Sequence, residues 1–462
     1  MIKKSVAKVL CLSLTLMTAS AQAMSLDWSG GYRFEWTEVD KPSLGSPSER
    51  KAYGLNYLYL SPKIIAADGV NVISRFDILS NKAYPNSQLG DIWGMNPQGT
   101  ATQDVRTGNQ GVVGVNVSQL YLSVNQEYGA LRLGRAPFEF GTGMKYSAGT
   151  GMFDHWYDTR DLAAYKIVVG DWFFMPMLSR QQSKGFGQGG TISSLGFQLQ
   201  YENEENKSLI AIFQETTNGV SEALGYTPEQ VTAYGGVSAT ATGDMKAQRT
   251  NFVLARGFDS FEFRLEAGFE SGATGVRTAS GSDVELSGYG IATEFLLPRK
   301  ESKWEWSLKA GMATGNDEGA TDFGGYAFNR NYDVAMLLFN HRLGTADLLG
   351  TNVQKNSNIP LGESADDEAI SNAMYFAPAV TYAWNEKLDL RNTIIYAQLM
   401  KENVATSKDL GLEWDIELIY KPSARVQWVN QLGLLFPGDA WKVSGAANDF
   451  TFGFASKAAI SF

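Results

Sequence analysis

Apolar and polar residues alternate with a period of two over much of the chain, most clearly at residues 450–462. Phe450, Phe452, Phe454, Ala458, Ile460 and Phe462 share one parity, while Thr451, Gly453, Lys457 and Ser461 share the other. Successive side chains of an extended strand point to opposite faces, so this segment has one aromatic face and one small, polar face. Leu26, Trp28, Tyr32, Phe34 and Trp36 alternate in the same way with Asp27, Ser29, Arg33, Glu35 and Thr37. Further cases are Phe261, Phe263, Leu265 and Phe269; Trp304, Trp306 and Leu308; and Leu410, Leu412, Trp414, Ile416, Leu418 and Tyr420. In a soluble sandwich such apolar faces meet in a core. In a large membrane barrel the arrangement is inverted, with a polar lumen and an apolar outside.

The connections between these segments fall into two alternating classes. Short ones include Ala67-Asp68-Gly69, Glu127-Tyr128-Gly129, Gly170-Asp171, Asn385-Glu386-Lys387 and Pro422-Ser423. Long ones include 39–50, 81–114, 139–159, 218–246, 315–370 and 437–449. Strict alternation of tight turns and long loops predicts an all-β, antiparallel up-and-down transmembrane barrel, with short periplasmic turns and long extracellular loops. The count is eighteen strands with both termini on the periplasmic side. Sixteen stays open, because 161–180 and 206–217 alternate poorly. Aromatic residues such as Trp28, Trp172, Trp304, Trp384 and Tyr420 fall beside the turns, where interfacial girdles belong.

The start of the chain supports an exported protein. Lys3, Lys4 and Lys8, the apolar stretch Val9 to Met17, and Ala21-Gln22-Ala23 have the order of a signal peptide. Residues 1–23 are expected to be removed, leaving one barrel domain over 24–462. The single cysteine, Cys11, leaves with them, which suits an oxidising compartment. No apolar run reaches the 18 residues of a spanning helix, and a barrel needs none. Hydrophobic residues at 44% with 12% aromatics exclude disorder. A net charge of −10, more acidic still without the three lysines, excludes a nucleic-acid-binding surface. The expected location is the Gram-negative outer membrane. Its lipid and lipopolysaccharide are then partners, and Phe462 resembles the signal read by the barrel-assembly machinery.

Candidate chemistry is sparse. His155 lies between Asp154 and Asp158, a group that a rim hydrolase would use, but no G-x-S-x-G motif accompanies it. Asn316, Asp317, Glu318 and Asp322 form an acidic loop without the spacing of a calcium-binding loop. No catalytic residue, metal or cofactor is expected. The polar face instead predicts a wet lumen lined by cations and acids. The cationic candidates are Arg33, Arg75, Arg132, Arg264, Arg391, Arg425 and Lys457; the acidic ones are Glu266, Glu413, Asp415 and Glu417. Together they would either bridge one another and stiffen the wall or set a transverse field across the pore. Tyr121 and Tyr375 would stack sugar rings. The loop 315–370 holds the apolar run Tyr332-Asp333-Val334-Ala335-Met336-Leu337-Leu338-Phe339, which calls for burial. It is expected to fold over or into the mouth and narrow it.

Gly411-Leu412-Glu413-Trp414-Asp415, Tyr420-Lys421, Gly433 and Phe436-Pro437-Gly438 resemble the penultimate hairpin of the alginate-export outer-membrane family. Leu133-Gly134-Arg135 with Gly141 and Gly143 is similar to it as well, a pattern that many porins share. The resemblance implies an eighteen-stranded channel passing a uronate polysaccharide or another hydrophilic solute, with Glu413 and Asp415 in the lumen wall. Three readings follow: a saccharide or exopolysaccharide channel, a general diffusion porin for small polar solutes, and a rim hydrolase.

Overall fold

The computed structural model describes residues 25–45, 50–78, 115–183, 191–205, 207–220, 239–317, 321–350 and 368–462. The expected signal peptide and its cleavage site at Ala23 lie outside them, as does Glu318. Every strand pairs antiparallel with its chain neighbours. Strand Ser25–Val39 pairs both with Lys51–Ala67 and with Thr451–Ser461, which closes the sheet into a barrel. Phe462 completes the seam by exchanging backbone hydrogen bonds of 3.0 and 2.8 Å with Gly30. The described residues form nineteen paired segments. Asp283–Leu286 and Tyr289–Leu297 both pair with Glu262–Thr278 and are two parts of one crossing, interrupted at Ser287-Gly288. The barrel therefore has eighteen strands.

The inverted distribution of polarity is explicit in the first strand. Trp36 is 43% exposed and Phe34 42%, whereas Arg33 and Glu35 between them are 3% and 1% exposed. Only a lipid surround makes that arrangement favourable, because apolar side chains left in water forgo about 1.5–3 kcal/mol each. Tight turns join the strands at one end. Asp68-Gly69 is one of them, and Gly69 has φ +72, where an added Cβ would meet the Asn125 carbonyl oxygen at 2.8 Å. At this end Trp28, Trp172, Trp304, Trp384 and Trp428 all face outward.

Two loops pack into the interior against the wall. One buried cluster joins Tyr326, Phe328, Leu337, Leu338 and Phe339 of the long loop to wall residues Tyr375, Ile395, Leu399, Leu410 and Leu435. A second joins Phe138, Phe140 and Tyr146 to Met177, Phe213 and Val253 of the wall. Two loops thus fold into the barrel, where only the longer one was expected to.

Candidate functional site

The site is built where these two loops meet. The first, 138–158, follows strand Gly129–Pro137 and turns inward because its aromatic residues find a partner there. The rings of Phe138, Phe140 and Tyr146 lie 4.8, 5.9 and 5.4 Å from that of Phe213. Wall carboxylates hold its polar atoms. Glu266 accepts from the Thr142 backbone N–H and hydroxyl at 2.8 Å each and from Met144 N–H at 3.3 Å. Glu215 accepts from Tyr146 at 2.9 Å and from Arg160 at 2.6 Å. Further along, His155 Nε2 is 2.8 Å from Glu35 Oε1, and Tyr157 donates to Asp77 at 2.9 Å. Arg33 donates to the Asp154 carbonyl at 2.8 Å.

The second loop is held in the same manner from another part of the wall. Met336 N–H donates to Asp415 at 2.8 Å, and Leu337 and Leu338 N–H donate to Glu413 at 2.6 and 2.8 Å. Tyr332 donates to Glu294 at 3.0 Å, and Lys309 donates to the Asp333 carbonyl at 3.0 Å. The loops then clasp each other. Asn329 N–H donates to the Met144 carbonyl at 2.6 Å, and Lys145 Nζ to the Ala327 carbonyl at 3.1 Å. Asn331 accepts from Trp156 N–H at 2.9 Å, while Asn329 Nδ2 donates to Asp158 at 2.9 Å. The Arg330 guanidinium lies 4.4 Å from the Trp156 ring centroid.

Between the clasp and the wall lies a polar cavity of about 130 Å³, whose lining includes Asp154, His155, Arg330, Asp333, Asn340 and Lys457. Its wall side is formed by Thr37, Gln431 and Lys457 on the first and last two strands. His341 also lines it. Burial, with Lys51, Lys457 and His155 nearby, pushes that imidazole well below its usual range, so it is neutral. The cavity therefore sets Arg330 and Lys457 against Asp154 and Asp333, and a polar solute entering it meets both signs of charge. A wider space of about 410 Å³ lies toward the tight-turn end, lined in part by Thr142, Lys207, Glu262 and Arg264.

The candidate lumen charges do not share one setting. Arg33 and Arg75 are buried in ion pairs, with Glu35 at 2.5 Å and Asp77 at 3.0 Å. Glu266, Glu413 and Asp415 are buried beneath the loops they hold. Arg391 stands 3.7 Å from Glu417, and the exposed Arg264 is 3.9 Å from Glu262. Arg132 is half-buried on its strand, Arg425 is exposed in the turn between Ser423 and Val426, and Lys457 faces the small cavity. Tyr375 is not available to stack on a sugar: it is buried against Phe328 and Phe339, because the loop takes up that space. The acid–His group holds the loop to the wall and to itself. His155 bonds Glu35, Asp154 accepts from Gly151 N–H at 2.7 Å, and Asp158 accepts from Ser147 N–H at 2.8 Å. Asp317 accepts from Lys401 at 2.8 Å. Among the described residues no set of three or more His, Cys, Asp or Glu side chains is arranged to hold a metal.

No protein-family model matches the chain, and a search of curated proteins finds no relative. Solved structures do match along nearly the whole length. The outer membrane protein OpdK from Pseudomonas aeruginosa is 9% identical, with a TM-score of 0.50 over 95% of this chain and 98% of that one. OccK8 (OprE) from the same organism is 10% identical, with a TM-score of 0.51 over 95% and 98%. OccK2 (OpdF), solved in complex with glucuronate, is 9% identical with a TM-score of 0.51 over 95% and 98%. The fold is that of outer-membrane porins. At such identity the likeness concerns the fold alone, and it is to porin-like barrels in general rather than to alginate-export proteins.

Proposed function

We propose that this protein is an outer-membrane channel for passive diffusion of small polar solutes, up to about the size of a monosaccharide, past a loop-built constriction. The observation that carries this reading is the clasp of 138–158 and 321–350 across the lumen, with the charged cavity of about 130 Å³ beside it. Side chains of both charges around a narrow, wet space orient dipolar solutes and filter by size. No nucleophile or cofactor enters this scheme. A saccharide is the favoured class, since uncharged hydroxyl groups exchange hydrogen bonds with Asn340, Gln431 and Thr37 without losing a paired charge. OccK2, a barrel of similar fold solved in complex with glucuronate, is in keeping with this reading. The narrow clasp favours single sugars over the exopolysaccharide that the hairpin resemblance implies.

Liposome swelling with the refolded protein tests the reading. Arabinose and glucose should enter, and a tetrasaccharide or an oligouronate should not. Entry of the oligomer would sink the small-solute reading in favour of polymer passage, and no swelling with any sugar would sink the channel reading itself. A companion prediction concerns the wall charge. Lys457→Glu should move the reversal potential under a KCl gradient clearly toward cation selectivity, because Lys457 faces the constriction. An unchanged potential would remove Lys457 from the conducting path.

A further inference from the structure

The segment 333–341 touches the wall at an unusual seat. Glu413 and Asp415 stand two residues apart on strand Asp409–Ser423, on its inward face, and are 0% and 3% exposed. No Lys or Arg among the described residues forms an ion pair with either. Their hydrogen-bond donors are three consecutive backbone N–H groups, those of Met336, Leu337 and Leu338. Three of the four carboxyl oxygens accept successive amides with no cation in contact, an acceptor pair matched to one turn of main chain, while Asp415 Oδ1 has no hydrogen-bond partner. Beside them lies a floor without side chains. Gly433 and Gly453 are register partners on adjacent strands. A Cβ on Gly433 would stand 3.1 Å from Met336 Cβ, and one on Gly453 would stand 2.7 Å from Leu337 Cδ2. A Cβ on Gly453 would collide with Leu337 and one on Gly433 would crowd both Met336 and Asp415 Oδ1, so the two glycines let the segment sit close to the wall.

We propose that Glu413, Asp415, Gly433 and Gly453 are positioning residues that fix how far 333–341 stands from the wall, and so set the width of the constriction. This rests on the channel reading above. The same short segment contributes Asp333, Met336, Asn340 and His341 to the lining of the small cavity. The wall strands that carry the two glycines contribute Gln431, Ala455 and Lys457 to its other side. A shift of the segment on its seat changes the gap between these two sets directly. The seat is also reversible in principle. Its carboxylates exchange amide donors for water when the segment lifts, while the apolar contacts of Leu337, Leu338 and Phe339 favour the seated position.

Single-channel recording on folded protein, verified by heat-modifiable gel mobility, tests this. Glu413→Gln with Asp415→Asn keeps shape but removes both charges, and because both Glu413 oxygens accept loop amides, the Gln must turn its N–H₂ group against Leu337 or Leu338 N–H. It should at least double the mean conductance and add open-channel noise. Gly433→Leu should do the same by a separate route. A Met336→Cys, Gly433→Cys pair brings Cβ atoms near the roughly 3.5–4.5 Å spacing of a disulfide, and no other cysteine occurs in the barrel. Oxidised in the Glu413→Gln, Asp415→Asn background, it should return conductance to the wild-type level, and reduction should release it. A positioning role predicts that rescue, which a general loss of stability would not give. Wild-type conductance in the folded Glu413→Gln, Asp415→Asn protein, or no effect of the disulfide, would overturn the proposal while leaving the channel intact. Silence of every folded variant, wild type included, would overturn the channel reading instead.

Discussion

Excising residues 315–371 and joining Thr314 to Asn372 through Asn-Gly is expected to raise single-channel conductance several-fold. The splice is geometrically mild, because Ala313 and Ala373 are already register partners at the ends of strands Trp304–Ala313 and Ala373–Asn385. A two-residue Asn-Gly turn suits that junction. The excision removes one half of the clasp, including the Asn329, Arg330 and Asn331 contacts with the other loop. It also uncovers Glu413 and Asp415, so the reversal potential should move toward cations. The cost is apolar. Tyr375, Ile395, Leu399, Leu410 and Leu435, each 4% exposed or less, would meet lumen water. At about 1.5–3 kcal/mol for each fully buried side chain the barrel should survive with a lower melting temperature. Bilayer recording and the temperature of the heat-modifiable gel shift measure both effects. Unchanged conductance would mean that the loop does not limit the pore.

That apolar patch also marks how much of the molecule was legible in the sequence. Strand number, closure and the inverted polarity follow from period-two alternation and from turn spacing, since each strand must present one face to lipid. The inward turn of the long loop followed from the run Tyr332 to Phe339, which water would not tolerate. The fate of the charges was not legible. Alternation places Glu413, Asp415 and Glu266 on the inner face, but it carries no information about what covers them there. A signal was available in the same strands. Ile395 and Leu399 occupy the inward parity of Leu388–Leu399, and Leu435 that of Val426–Pro437. Apolar residues on a face that is otherwise polar call for a covering element. Phe138, Phe140 and Tyr146 likewise mark 138–158 as a loop that folds inward, and Phe213 on the inner face supplies their partner. The clasp itself depends on Asn329, Asn331 and Lys145, short-range polar contacts between segments far apart in the chain, for which one sequence offers no periodic signature.

Replacing Glu35 by alanine is expected to be the most destabilising single change in the wall, at about 3–5 kcal/mol. Arg33 Nε and His155 Nε2 both converge on Glu35 Oε1, at 2.5 and 2.8 Å, and all three residues are at most 7% exposed. Removing the carboxylate leaves a guanidinium buried beside an imidazole without its anionic partner there, its other contacts including the Tyr57 ring at 4.7 Å and the Asp154 and Met152 carbonyls at 2.8 and 3.4 Å. A buried charge without its partner costs far more than the pair contributes when intact. The double replacement Arg33→Met, Glu35→Leu removes both charges and should regain most of the loss. Urea unfolding of wild type, Arg33→Met, Glu35→Leu and the double variant in lipid vesicles gives the coupling energy through a double-mutant cycle. The same site ties 138–158 to the first strand, so Glu35→Ala should also loosen the constriction and add conductance noise. A loss below about 1 kcal/mol, the range of exposed pairs, would show that water reaches the site and that the ion pair does not anchor the loop.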